Sequence, residues 1–253
     1  MKPVSSDHGQ RRLTDVHDAI ESCEQCPRLR AYCGQVALEK KRAHRTETYW
    51  GKPVPGFGDP AARLLLVALA PAAHGANRTG RVFTGDGAGG SANFLMAALH
   101  RAGFASLPTS TAIDDGLTLK DAFITSAVRC APPDNTPLPE EITRCAAHLD
   151  AEVTHLPNVR VVIGLGKIAF DGWIARAKRM GAVWSPKPAF GHGVVVRMAG
   201  ESESAAPPTL LGCFHPSRQN TNTGRLTAAM MDAVFEQAKK MLDRRVPVEH
   251  SWS

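Results

Sequence analysis

Six cysteines and two loop segments hold the residue types from which chemistry could be built. Cys23 and Cys26 form a C-x-x-C pair, Cys130 directly follows an apolar run, and Cys145 lies in a helical stretch beyond fourteen intervening residues. The short spacing lets both thiolates of the pair reach one metal centre, and four thiolates suffice for a [4Fe–4S] cluster or one tetrahedral zinc. A zinc ribbon would prefer two C-x-x-C pairs, so the single pair favours iron–sulfur. Buried thiols are the competing reading of Cys130 and Cys145. Cys33 is a spare candidate ligand, and Cys213, in an apolar run, reads as core. The first loop segment, 69–86, combines His74, Asn77, Arg78, Arg81, Phe83 and Asp86; the second, 213–224, opens on Cys213-Phe-His215-Pro-Ser217 and continues through Arg218, Gln219 and Asn222.

These segments need a scaffold. The apolar run 63–69 suits a strand buried on both faces. Further strands are expected at 122–128, 159–165, 193–198 and 209–214, and helices at 13–22, 91–102, 139–156, 166–180 and 224–245. The stretch 42–60 reads as a surface loop, and 201–208, acidic and rich in small residues, as a mobile hairpin loop. Strands alternating with helices give an α/β fold with a mostly parallel sheet covered on both faces. In such sheets ligands bind beyond the carboxyl ends of the strands, so the loops after Leu69, Val128, Leu165 and Phe214 should converge. Loop 70–90 is long for a simple connection, which points to function.

The chain has 253 residues, 43% hydrophobic and 21% charged, which is ordinary globular usage. One domain spanning 1–253 is expected, with 1–12 as a flexible tail. A net charge of +6 favours a polyanionic partner mildly, although no long lysine tract marks a nucleic-acid footprint. No secretory signal or membrane-spanning run is visible, so a cytoplasmic protein without structural disulfides is expected.

Taken together, the ordered segments resemble the iron–sulfur branch of the uracil-DNA glycosylase superfamily, and most of all its family 5, or type b, enzymes. The resemblance rests on Ala68-Leu-Ala-Pro-Ala-Ala-His-Gly-Ala-Asn, Val82-Phe-Thr-Gly-Asp, Ile124-Thr-Ser-Ala-Val-Arg-Cys-Ala-Pro-Pro, Val162-Ile-Gly-Leu-Gly-Lys, His215-Pro-Ser and the four cysteines. It implies a three-layer α/β/α sandwich around a four-stranded, mostly parallel sheet. It also implies a structural [4Fe–4S] cluster on Cys23, Cys26, Cys130 and Cys145, and monofunctional removal of uracil from DNA in base excision repair. The protein would act as a monomer, associated with the nucleoid when bound to DNA.

The departures from that pattern are informative. Ala70 stands where the best-known uracil glycosylases carry a water-activating Asp, and no Glu replaces it. The resemblance instead implies Asp86 as the catalytic carboxylate, with His215 stabilising the departing base. It implies Phe83 as the aromatic that stacks on the flipped base. Ser126 stands where iron–sulfur relatives commonly have Asn, and a hydroxyl cannot present an amide's donor and acceptor together. A tolerant pocket that also takes hypoxanthine or exocyclic adducts is therefore expected. Ser217, Arg218, Gln219 and Asn222 are candidate DNA contacts, as are Asn77, Arg78 and Arg81. Two other functions compete: a protein that binds or covalently traps uracil-DNA without turnover, and an iron–sulfur redox or regulatory protein. Absence of a basic insertion around His74 counts against trapping, and redox use would leave Asp86 and the His-Pro-Ser turn unexplained.

Overall fold

A computed structural model describes residues 7–85, 87, 89–197 and 207–243, with the side chains of 7–12 left out. Three apolar pentads, β2 (Leu64–Ala68), β3 (Ala122–Ser126) and β4 (Val161–Leu165), are buried along their whole length. With β6 (Thr209–Cys213) they form a parallel sheet, which β1 (Phe57–Gly58) and β5 (Val195–Val196) extend antiparallel at its two edges. The order is β1-β3-β2-β4-β6-β5. The expected four-stranded parallel sheet is therefore present inside a six-stranded one. Edge strand β1, two residues long, is too short for a hydrophobic period to announce it, and β5 is a two-residue part of the strand expected at 193–198.

Strand alternation divides the core. Leu64, Leu66, Ile124, Ile163 and Leu211 face α4 (Ser91–Arg101) and α8 (Ala228–Asp243), where Leu95, Leu99, Met231 and Phe235 pack. Leu65, Val67, Phe123, Val162 and Leu210 face the other layer. There α5 (Pro139–Thr154) and α6 (Lys167–Arg179) supply Leu149, Phe170 and Trp173. Gly164 makes the last contact possible, because a Cβ there would stand 2.9 Å from the Phe170 Cα. Helix α1 (Asp7–Glu21) adds Leu13 to this layer. Residues 7–12 thus open a helix instead of forming the expected tail: no Pro lies between Asp7 and Leu13. Helix α2 (Pro27–Glu39) was not expected, and it packs Leu29 and Cys33 against Val128, Cys130 and Cys145. The expected hairpin at 201–208 falls mostly outside the described residues.

At the carboxyl end of β3 a buried ion pair closes the fold. Arg129 donates to Glu152 Oε2 at 2.7 Å; both are essentially inaccessible. Thr125 Oγ1 also donates to that oxygen, at 2.5 Å, and the Gly56 amide donates to Oε1 at 2.7 Å. Removing one charge leaves the other buried and uncompensated, a loss of about 3–5 kcal/mol. Glu152→Ala should accordingly lower the unfolding free energy by about that amount in urea titration with an unchanged m-value. A loss below about 1 kcal/mol would show that the pair is not a closing element.

Candidate active site

The carboxyl ends of β2, β3 and β6 open into one cleft of about 670 Å³, whereas the expected loop after Leu165 supplies no lining residue and only backs His215 through Gly166. Ala70, Phe83, Ser126, His215, Ser217, Arg218 and Gln219 line it, as the strand order anticipates. Asn222 lies exposed at the end of α7 (Arg218–Asn222) and does not line the cleft. Ser217 caps α7, its side chain accepting from the Asn220 amide.

Loop 69–90 carries the largest share of the wall and includes α3 (Ala76–Thr79). Its polar residues do not face DNA. Arg78 is 9% exposed and Arg81 4%; Asn77 is inaccessible. Arg78 donates to the Gly85 carbonyl at 2.7 Å and the His74 carbonyl at 3.0 Å, and pairs with Glu47. Arg81 donates to Asp115 at 2.7 Å, to Thr84 Oγ1 at 2.9 Å and to Ser110 Oγ at 3.0 Å. Asn77 donates to the Ala73 carbonyl at 3.3 Å. These three expected DNA contacts are corrected to internal struts. A buried loop must satisfy its own carbonyls, and a guanidinium brings five donors to do so. Burial works to raise the Asp115 carboxyl, but Arg81 and backbone amides outweigh it and hold the group well below its usual range.

The struts fix two cleft features. Phe83 sits with φ of 48°, a left-handed conformation costly for an aromatic residue, and its ring lines the cleft. Gly85, with φ of 83°, also lines the cleft; its amide donates to the Ser110 carbonyl at 3.0 Å while Arg78 holds its carbonyl. Asp86 follows directly and lies outside the described residues. Among the described residues lining the cleft, Asp134 is the carboxylate, exposed on the turn after β3.

His215 stacks obliquely near Phe83, with ring centroids 6.0 Å apart and planes at 31°. Burial pushes its imidazole down to about 4, so it is neutral at ordinary pH. Gly166, with φ of 91°, gives it room, since a Cβ there would meet the His215 Cβ at 3.3 Å. Ser126 is buried, and its Oγ donates to the Val128 carbonyl at 2.9 Å. With that hydrogen engaged, the hydroxyl offers lone pairs.

His74, weighed from sequence only as a trapping nucleophile, also lines the cleft, as do Lys41, His44, Asp134 and Asn135, which were missed from sequence. The Pro-Pro-Asp-Asn turn after β3 was the available signal for the last two. His74 contacts the Tyr49 hydroxyl at 3.1 Å, and burial lowers its pKa.

Cys23, Cys26, Cys130 and Cys145 line a second, smaller cleft together with Arg30, Arg129 and His148. The Arg129 amide donates to Cys145 Sγ at 3.2 Å. Arg28 binds Glu141 at 2.7 Å, and Glu141 accepts from the Leu138 amide at the start of α5, so α2 and α5 are tied beside the thiols. Among the described residues no three Cys, His, Asp or Glu side chains close on one point as a single ion would require. Cys33 is buried outside this cleft, donating to the Ala131 carbonyl at 3.5 Å, and burial in β6 pushes the Cys213 thiol up to about 12.

The sequence profile of the Uracil DNA glycosylase superfamily matches residues 55–239. A protein of Thermus thermophilus named Type-5 uracil-DNA glycosylase is 47% identical over 222 residues, covering 88% of this chain and 94% of its own. One of Mycobacterium leprae with the same name is 46% identical over 234 residues, covering 92% and 97%. A Type-4 uracil-DNA glycosylase of Pyrobaculum aerophilum is 29% identical over 176 residues, covering 68% and 71%. The family match spans every strand of the parallel sheet and the loops after β2, β3 and β6 that line the cleft, and the chain belongs to the uracil DNA glycosylase superfamily, in its type-5 group.

Proposed function

We propose that this chain is a monofunctional DNA glycosylase that hydrolyses the N-glycosidic bond of uracil in DNA. One observation carries the reading: Phe83, Ser126, a neutral His215 and the clamped Gly85 that precedes Asp86 meet in one cleft. Bond cleavage puts positive charge on the sugar and negative charge on the departing base. Asp86 stabilises the first and orients the water that adds at C1′. The neutral His215 N–H donates to the base oxygen on which negative charge gathers; a neutral imidazole keeps one N–H for this. Phe83 supplies a stacking face for the extruded base.

Ser126 accepts from the base N–H. Uracil and hypoxanthine both present an N–H beside a carbonyl, so hypoxanthine, and exocyclic adducts that keep such an edge, are included in the substrate range. Ala70 leaves that wall open. Arg218, Gln219 and Ser217 face the DNA from the His-Pro-Ser turn, with Asn222 beside them. The protein acts as a monomer and as one domain, on cytoplasmic DNA. Among the described residues no helix is long and apolar enough to cross a membrane.

Cys23, Cys26, Cys130 and Cys145 would hold a [4Fe–4S] cluster. Four thiols on one cleft, an amide directed at Cys145 Sγ, and Arg30 and Arg129 alongside suit a polyanionic sulfur cage. Bound there, a cluster would tie the start of α2 and α5 to the end of β3, a structural role. Purified protein should be coloured and contain iron and inorganic sulfide; colourless protein containing zinc would contradict this assignment.

A second reading has one observation in its favour: His74 lines the cleft, where a covalent trap on DNA would need a nucleophile. Uracil-containing duplex, treated with alkali after incubation, separates the readings. The glycosylase gives scission at the uracil with turnover, whereas a trap gives a denaturant-resistant protein–DNA adduct lost in His74→Ala. Asp86→Asn should lower the rate about 100-fold or more while DNA binding persists. Asp134→Asn should retain most activity, and the opposite order would transfer the carboxylate role to Asp134. Borohydride trapping of the DNA would overturn the monofunctional reading. NMR titration of the His215 ring should give a midpoint near about 4. Since the neutral form is favoured by folding, the associated stability is full above the ordinary value of 6.5 and is lost as pH falls toward about 4. A midpoint at the ordinary value would remove the neutral-donor role.

A further inference from the structure

The run Lys40-Lys41-Arg42-Ala43-His44-Arg45 is absorbed by none of the chemistry above. It follows the end of α2 and forms a single 3-10 turn at Arg42–His44. Lys41, Arg42 and Arg45 are exposed, and among the described residues none of the three is ion-paired to an acid. Several other exposed bases are paired, Arg101 with Asp232, Arg179 with Asp150, and Lys167 and Lys187 with Asp171, while Lys120, Lys178, Lys239 and Lys240 are exposed away from the cleft and in no ion pair among the described residues.

Position distinguishes the run further. Lys41 and His44 line the active-site cleft, and so do Arg218 and Gln219 from the His-Pro-Ser turn. Although exposed, the segment is held in shape. The Lys41 amide donates to the Tyr49 hydroxyl at 3.3 Å, and that hydroxyl contacts His74 of the cleft loop. His44 contacts Glu47 at 2.6 Å, and Glu47 pairs with Arg78, which holds Gly85. The inner residues of the turn are thus tied to the loop that carries Asp86, while its outer residues present uncompensated positive charge. Such an arrangement fits phosphates of a strand whose extruded nucleotide enters the cleft.

We propose that Lys41, Arg42 and Arg45 form a phosphate-binding rim that docks the backbone of the damaged DNA strand. The rim takes the place of the buried Arg78 and Arg81 as the cationic DNA surface, and it rests on the glycosylase reading for the identity of its ligand. The rim is built before DNA arrives, so little ordering entropy opposes binding.

The test measures binding of uracil-containing duplex by fluorescence anisotropy over a range of salt concentrations. In a variant carrying Lys41→Gln, Arg42→Gln and Arg45→Gln together, the slope of log affinity against log salt should fall by about 2 to 3. Affinity at moderate salt should weaken about 10-fold or more. Lys239→Gln with Lys240→Gln, on the exposed face of α8, should change neither, and thermal melting should match the parent for both. An unchanged slope in the triple variant overturns the rim, as does an equal change in the α8 variant. The underlying reading fails separately, if the unaltered protein binds DNA with its full salt slope but releases no base.

Discussion

Two guanidiniums buried inside one loop hold the site together. The connection after β2 runs for about twenty residues, and much of its backbone is removed from water, so its carbonyls need donors from within. Arg78 provides them to His74 and Gly85, Arg81 braces Thr84 against Ser110 and the Ile113 carbonyl, and each carries an acid, Glu47 or Asp115, that offsets the burial of its charge. Phe83 is held in a left-handed backbone conformation and Gly85 is bound at both its amide and its carbonyl. Pre-organisation of this kind is what a reaction with developing charge requires, because donors and carboxylates need not reorganise as the bond breaks.

The end of β3 extends the same logic to the thiols. Arg129 places its side chain on the buried Glu152 and its amide on Cys145 Sγ, and its carbonyl accepts from the Val54 amide at 2.8 Å. Three residues upstream, Ser126 forms part of the cleft wall. One short segment therefore joins the sheet core, the thiol cleft and the base pocket. Cys26 caps the start of α2, and the chain leaving α2 forms the cationic turn at the cleft mouth. The cysteine cleft and the cationic turn lie at two ends of one helix.

Much of this was legible in the residues. The apolar pentads of β2, β3 and β4 identify themselves by composition, and the parallel-sheet rule then predicts which loops meet. Ser126, Phe83, His215 and the His-Pro-Ser turn all line the cleft where that rule puts them. What failed is equally instructive. Arg78 and Arg81 look like DNA contacts because a sequence gives charge but not direction. Whether a guanidinium points outward depends on acids distant in sequence, here Glu47 and Asp115, and on loop carbonyls needing donors. Edge strand β1 was missed because two residues carry no period, while β5 falls inside the strand expected at 193–198. The turn at Arg42–His44 read as a featureless loop, since only its tertiary ties to Tyr49 and Arg78 bring it to the cleft.

The most direct test of the central claim is hydrolysis of uracil-containing DNA in isotopically labelled water, with mass analysis of base and sugar. The cleft described above predicts several free uracils per protein molecule, an intact backbone, and label on the abasic sugar but not on the base. Failure to release uracil, or a single stoichiometric protein–DNA adduct without label on the sugar, would contradict it.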